Sequence, residues 1–444
     1  MTASEPPEST RPRFTSLFGV LMTFIGVAVG LGNVWRFPYM VGAFGGGAFL
    51  LIYLVILGAF GIPALMAEFS LGRLTRRGPM GAFTRIGMPG GKTIGWALFV
   101  TVLMALTYYT VVVGWVLRYA IVSLTGAIET IEPAAFFDSV LGGFGGQFLM
   151  TTVVLALVAM VLLLGIKSGV ERVSVVGMPL LFLLLFVLIA RSLTLPGAGE
   201  GLRFYLIPDF SKIDASVVTA ALGQVFFSLS LGGTFLVTYA SYLPDDVNLK
   251  KSAVTVGLGE TLAAILAGFV IVPAAVALGI QLNSGPPFTF VTAPSIFAEI
   301  PAGALFAVLF FGLLFFAAFL SDVAAFEVLV AGLVDEYHWK RKVAVILLCG
   351  AALLLAIVPM KSLDYILKSD LFWGSTMQPL GSALALFALA WVVGLGRALE
   401  EANKGNDDAP VGKLWFYWIK YVVPAGIGTI LLAGLRDMFR AFVQ

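Results

Sequence analysis

Cysteine and histidine are nearly absent from this chain: 444 residues contain one of each. The lone cysteine, Cys349, cannot form an internal disulfide, and inside an apolar run it reads as a small buried core residue. The lone histidine, His338, falls in the polar stretch from Asp335 to Lys342 and reads as a surface group. No His/Cys/carboxylate cluster has metal-site spacing, and no serine-centred nucleophile motif or nucleophile–base pair is present. Zinc chemistry and serine hydrolysis are thereby excluded, and the chain is not read as an enzyme. Charge is scarce too, at 12% of residues with a net +2 and no basic run interleaved with aromatics, which argues against a nucleic-acid partner. So little polar surface also excludes a soluble domain.

What is abundant is apolar sequence: 59% of residues, with a mean hydropathy of +1.00. Runs of 18 or more apolar residues recur along nearly the whole chain, each able to cross a hydrocarbon core of roughly 30 Å. Backbone groups in lipid must bond within their own segment, so runs of this length are helices and not barrel strands. The expected fold is an all-α polytopic membrane protein with 11 transmembrane helices, at about 15–40, 45–72, 93–125, 148–167, 170–192, 216–243, 251–281, 302–334, 343–359, 364–397 and 414–438. Small surface helices are expected after the third, fifth and seventh. The polar, proline-rich start lacks a signal-peptide pattern and reads as a cytoplasmic tail, residues 1–14. With that end inside, about two-thirds of the Lys and Arg lie on cytoplasmic segments, which places the protein in the plasma (inner) membrane with its C-terminus outside.

Two spans depart from the ordinary pattern. The first contains Gly26-Val27-Ala28-Val29-Gly30-Leu31-Gly32-Asn33, and the sixth Phe227-Ser228-Leu229-Ser230-Leu231-Gly232-Gly233-Thr234. Mid-membrane glycines permit an unwound segment, which survives in lipid only where protein or a water-filled cavity completes its hydrogen bonds. Freed carbonyls bind cations and half-helix N-termini bind anions. Close packing through small residues would explain one such span. Two at corresponding places favour a site between repeats: 15–192 as a first five-helix repeat, 193–397 as a second and inverted one, and 398–444 as a cytoplasmic loop and eleventh helix.

The stretch Gly30-Leu31-Gly32-Asn33-Val34-Trp35-Arg36-Phe37-Pro38, followed by Gly45-Gly46-Gly47-Ala48-Phe49, Gly61-Ile62-Pro63, Glu68 and Gly72-Arg73, resembles the neurotransmitter:sodium symporter family. Thr238-Tyr239-Ala240-Ser241-Tyr242 matches that family's sixth span. The resemblance implies a five-plus-five inverted repeat with broken helices 1 and 6. It also implies sodium ions as the coupling species, with no organic cofactor, and import of a small amino acid by alternating access, a monomer sufficing. A first sodium site would use Ala28, Asn33, Ser228 and the substrate carboxylate, with Glu260 or its neighbour Gly259 as the fourth protein position. Glu260 is favoured, and its charge implies chloride-independent transport. A second sodium site would use Gly26, Val29, Ala317 and Ser321, but Leu320 stands where the family usually has a side-chain oxygen.

Substrate positions follow by the same resemblance. The Leu31 and Gly32 amides and Tyr109 would hold the carboxylate, and Ala28, Phe227 and Ser230 the amino group. Gly30 replaces the aspartate of amine carriers, which points to an amino acid. Ala105, Gly233 and Ala325 would enlarge the side-chain pocket, with Asp322 contacting the substrate, a neighbouring side chain or sodium. Arg36 and Asp370 would form the outer gate, with Tyr109 and Phe227 as a lid directly over the substrate, and Arg11 and Asp335, near Tyr242, the inner gate. Gly169 and Pro179 would loosen the start of span 5. A proton-coupled amino-acid carrier of the same fold and a non-transporting amino-acid sensor are the alternatives; no filter repeat or charged ring supports a channel.

Overall fold

The computed structural model describes residues 14, 16–232, 234–280, 282, 288–406 and 409–443, with side chains through Arg440. Arg11 and Gly233, both assigned roles from sequence, lie outside the described residues. Among the described residues the elements are helices, and the only β pairing is an isolated bridge between Gly46 and Pro208.

The principal helices are α1 (Leu17–Ala28), α2 (Gly32–Ala43), α3 (Gly47–Thr75), α4 (Gly91–Leu124), α5 (Phe144–Leu163) and α6 (Ile166–Leu193), then α7 (Ala215–Ser228) and α8 (Phe235–Ala240). They continue with α9 (Leu249–Ala277), α10 (Gly303–Tyr337), α11 (Arg341–Lys361), α12 (Leu363–Val393) and α13 (Lys413–Arg440). Among the described residues nine helices are long and apolar enough to cross a membrane, and α1 with α2, bent by 56° at their junction, makes a tenth span. The chain is a multi-pass membrane protein. Helix starts carry their own caps. Ser16 accepts from the Gly19 amide at 3.0 Å, Asp214 from those of Ser216 and Val217 at 2.8 and 3.0 Å, and Asn248 from that of Lys251 at 2.9 Å. Those bonds also lower the Asp214 pKa, chiefly through the Ser216 hydroxyl.

Burial separates centre from periphery. The most apolar windows of α4 and α9 are 72% and 67% buried, against 33% for α6 and 28% for α13, so α4 and α9 are central and the other two carry the lipid-facing surface. The long α10 runs beside α4, and α1 packs on α6, α9 and α10. Beside them, α8 lies on α3 and α13 covers α7 and α12. Trp415 and Trp418 of α13 donate to the carbonyls of Pro63 and Ala59 (3.3 and 2.6 Å), so these indoles tie α13 to α3.

Some sequence expectations shift. The tenth expected span, 364–397, ends at Val393, because Gly394 takes φ +83° and a separate helix, Leu395–Asn403, follows. Short helices Pro133–Gly142, Ala198–Leu206 and Ala293–Glu299 occupy the three expected places, and Pro79–Arg85 is one the sequence did not announce. The start of α6 is wound, through π-helical turns. Gly169 is there for close approach: a Cβ would lie 2.1 Å from the Val161 carbonyl oxygen of α5.

One buried pair fastens three segments. Arg73, fully buried at the end of α3, is 2.6 Å from the Glu401 carboxylate and donates to the carbonyls of Val247 and Glu401, both at 2.6 Å. Removing Arg73 takes away the buried one of the two cationic partners of Glu401, leaving only the exposed Lys404 ammonium at 2.9 Å. Arg73→Ala should therefore cost about 3–5 kcal/mol, read as loss of monodisperse protein in detergent on mild heating. An unchanged melting profile would show that the pair is dispensable.

Candidate functional site

The site is built where two helices stop in mid-bundle. At the end of α1, Val29 leaves helical geometry (φ −78°, ψ 115°) before the chain resumes in α2. Past the end of α7 the described residues Ser230, Gly232 and Thr234 take φ +54°, +91° and +56°. Two of these three are not glycine, so the backbone holds a conformation that L residues rarely adopt. Gly232 is the position that tolerates nothing larger: a Cβ would lie 1.7 Å from the Gln378 carbonyl oxygen of α12. Its amide donates to Glu68 Oε1 at 3.0 Å, and the same oxygen accepts from Ser382 at 2.8 Å. Glu68, fully buried on α3, thus pins the second break to α12. Gln224 pins the first, its Nε2 donating to the Gly32 carbonyl at 3.0 Å.

Between the breaks lies a cavity of about 680 Å³ including its open mouth. Of the residues assigned to substrate from sequence, Ala28, Leu31, Gly32, Ala105, Tyr109, Phe227, Ser228, Ser230 and Ala325 line it. Val27, Val102, Leu106 and Phe235 complete an apolar wall. Most polar groups facing this space have partners in the protein: Ser230 donates to the Val27 carbonyl at 3.3 Å and Ser321 to that of Val29 at 3.0 Å. The Tyr109 hydroxyl is buried without one. A Cβ on Gly30 would stand 3.1 Å from that hydroxyl and 2.5 Å from Ser321 Oγ, so glycine keeps this part of the cavity open.

Asp322 does not join the lining. It is fully buried on the far side of α10, where Oδ1 accepts from Thr110 at 3.0 Å and Oδ2 has no partner. Of the contacts the sequence allowed for Asp322, the one seen here is with a neighbouring side chain, Thr110 of α4, while Ser321 and Ala325 line the cavity. Asp322→Asn should leave the KM for an uncharged-side-chain amino acid within about threefold, since Asp322 is not part of the cavity lining. A tenfold change in labelled uptake would restore the carboxylate to the site.

Behind the cavity is a cluster suited to a cation. Asn33 Oδ1 accepts from the Gly30 amide at 3.0 Å, and Nδ2 donates to Ser228 Oγ at 3.3 Å, to the Glu260 carbonyl at 3.3 Å and to the Glu260 carboxylate. Ser228 also donates to Glu260, as do Tyr53 at 3.4 Å and Thr261 at 3.2 Å. Asn33, Ser228 and Glu260 are at most 1% exposed. The choice between positions 259 and 260 is decided by packing: Gly259 faces Ile25, whose Cδ1 would lie 2.6 Å from a Cβ, and Glu260 faces the cluster. All four side chains on this carboxylate are neutral, and a buried carboxylate without a cationic neighbour stays ionised only where a bound cation complements it. This donor set therefore fits sodium. Of the second set, Ser321 of α10 reaches the Val29 carbonyl and Ala317 is buried one turn earlier on α10, but Leu320 lies against Gly26, its Cδ1 3.5 Å from where a Cβ would be.

The mouth holds the outer pair without an ion pair between its members. The Arg36 guanidinium carbon sits 4.3 Å from the Phe227 ring centroid, and Asp370 accepts from Tyr108 at 3.1 Å. At the opposite end Asp335 accepts from the Gly78 amide at 3.0 Å. Tyr242 donates to Glu327 at 3.1 Å, and Glu327 is 2.5 Å from Arg341. Phe14 packs edge-on to Tyr242 (6.4 Å between centroids) at this end. Sequence reasoning missed Tyr53, Gln224, Glu327, Arg341 and the bracing role of Glu68. Of these, Glu68, Glu327 and Gln224 carried a usable signal, being polar side chains inside apolar runs.

Two interrupted helices enclosing a pocket and a buried carboxylate cluster, within a multi-pass bundle, are the features of a membrane carrier. The chain belongs to the sodium:neurotransmitter symporter family, whose model matches residues 11–132 and 138–442. An uncharacterized sodium-dependent transporter of Haemophilus influenzae is 35% identical over 96% of this chain and 98% of its own length. Another such protein, of Methanocaldococcus jannaschii, is 34% identical over 93% and 88%. The sodium-dependent dopamine transporter of Bos taurus is 26% identical over 98% and 71%. Among solved structures, MhsT in complex with L-phenylalanine matches with a TM-score of 0.87 and 35% identity over 96% of this chain and 100% of that one.

Proposed function

We propose that the protein is a sodium-coupled symporter that imports an amino acid with a bulky apolar side chain, independently of chloride. The observation that carries this is the cavity. The unpartnered Tyr109 hydroxyl and the freed backbone at Leu31 and Gly32 face a space otherwise walled by Val27, Val102, Ala105, Leu106, Phe235 and Ala325. A hydroxyl and the amides at the start of α2 suit a carboxylate. The Ala28 and Phe227 carbonyls with Ser230 suit an ammonium, and the apolar wall suits a hydrocarbon side chain. The small Ala105 and Ala325 leave room for a large one, in keeping with the phenylalanine bound by MhsT.

The sodium at Asn33, Ser228 and Glu260 would adjoin the substrate carboxylate, because Ser228 belongs both to the cluster and to the cavity. Each then strengthens the binding of the other by charge contact. In this reading α1 with α2, and α7 with α8, are the broken first and sixth of eleven spans. Residues 15–192 and 193–397 form the inverted repeats, and the N-terminus is cytoplasmic. Arg36 and Asp370 come together when the outer mouth shuts. Asp335 and Arg11 part, with the Tyr242–Glu327–Arg341 group, when the inner end opens. Purified protein in sodium buffer should be stabilised against heat by one or a few large apolar amino acids, and in potassium buffer by none. Equal stabilisation in both buffers would refute sodium coupling and favour the proton-coupled alternative.

A further inference from the structure

We infer that this carrier couples one sodium ion, not two, to each amino acid, because the groups that would surround a second ion include the apolar Leu320 side chain against Gly26 and no carboxylate. The inference rests on the symporter reading and deepens it. Four residues, Gly26, Val29, Ala317 and Ser321, would supply the second site with three backbone carbonyls and one hydroxyl. Hard cations require a shell of oxygens, and here two of the four are engaged with each other: Ser321 donates to the Val29 carbonyl at 3.0 Å. The face of Gly26 is apolar and soft, since a Cβ there would lie 3.5 Å from both Leu320 Cδ1 and Met178 Sδ. Ser174 Oγ, at the same 3.5 Å, is committed to the Val170 carbonyl at 2.9 Å.

No carboxylate makes up the deficit. The nearest along the chain, Asp322, takes its hydrogen bond from Thr110 on α4, one residue further round α10. The two places thus differ in kind. The Glu260 cluster combines a full negative charge with amide and hydroxyl oxygens, whereas the Gly26 region combines neutral carbonyls with a methyl and a thioether. Leu320, 3% exposed, does there by packing what an ion would do by coordination, holding α1 to α10 beside α6.

The test is the ratio of radioactive sodium to labelled amino acid entering proteoliposomes, together with sodium bound to purified protein at saturation in equilibrium dialysis. The wild type should give one sodium per amino acid by both measures and a sodium Hill coefficient near one, because that coefficient cannot exceed the number of sites. Leu320→Thr, which restores a side-chain oxygen, should raise bound sodium and the Hill coefficient toward two. Two ions per amino acid in the wild type would overturn the inference and leave the symporter reading standing. Uptake that ignores sodium would overturn both. If Leu320→Thr does not fold, the wild-type ratio decides alone.

Discussion

Glu260→Ser should make transport strongly dependent on chloride. In the wild type the Glu260 carboxylate is fully buried and surrounded by the neutral donors Asn33, Tyr53, Ser228 and Thr261. Its charge therefore balances the cation proposed for this cluster, and an anion a few ångströms away contributes strongly in so dry a place. Serine keeps a hydroxyl but removes the charge and leaves a space. Without chloride, the sodium concentration for half-maximal uptake should rise by about 100-fold, the loss expected on removing a buried charge partner. A chloride ion settling among Tyr53, Ser228 and the new serine should recover most of it. Glu260→Asp should remain chloride-independent, because its charge is retained. The check is uptake with chloride replaced by gluconate. Equal uptake by Glu260→Ser in both salts would show that Glu260 does not act through its charge.

Gly30→Ala should abolish transport while leaving the protein folded. Gly30 lies in the break between α1 and α2, and a Cβ there would stand 2.5 Å from Ser321 Oγ and 3.1 Å from the Tyr109 hydroxyl. The added methyl would occupy the space in front of the one unpartnered hydroxyl of the cavity, where the substrate carboxylate is proposed to sit. A displacement of about 1 Å at a binding constellation is worth roughly 100-fold, and this methyl intrudes further than that. Tyr109→Phe alone should cost about tenfold in affinity, one hydrogen bond to a charged group. The measurement is saturable uptake together with size-exclusion behaviour. Gly30→Ala protein that elutes normally but takes up substrate like the wild type would place the carboxylate elsewhere.

The parts legible in the sequence are those fixed by chemistry along one helix. Glycines in the first and sixth apolar runs announced the breaks, because an unwound backbone has few other composition signatures. Glu260 stood out because a charge in an apolar run needs a reason. What one sequence could not supply was helix phase. The choice between Gly259 and Glu260, and the direction of Asp322, each turn on a single residue, which is 100° of rotation. Packing settled them: Ile25 fills the space at Gly259, and Thr110 receives Asp322. Long-range bracing was equally hidden. Glu68 reaches Gly232 and Ser382 across 164 and 314 residues, and nothing local to any of the three predicts that meeting. The end of α12 was misplaced because the helix after Gly394 is amphipathic and continues the apolar pattern on one face.

The central claim, that a sodium gradient drives amino-acid accumulation, is tested most directly in proteoliposomes. A labelled amino-acid mixture is offered with sodium outside and potassium inside, or with potassium on both sides, and the lumen is analysed. The symporter reading predicts that one or a few large apolar amino acids concentrate above the outside level in the first condition only, and that gluconate in place of chloride changes nothing. Equal lumenal content in the two conditions would contradict it, and so would sodium-dependent binding with no accumulation, the behaviour of a sensor.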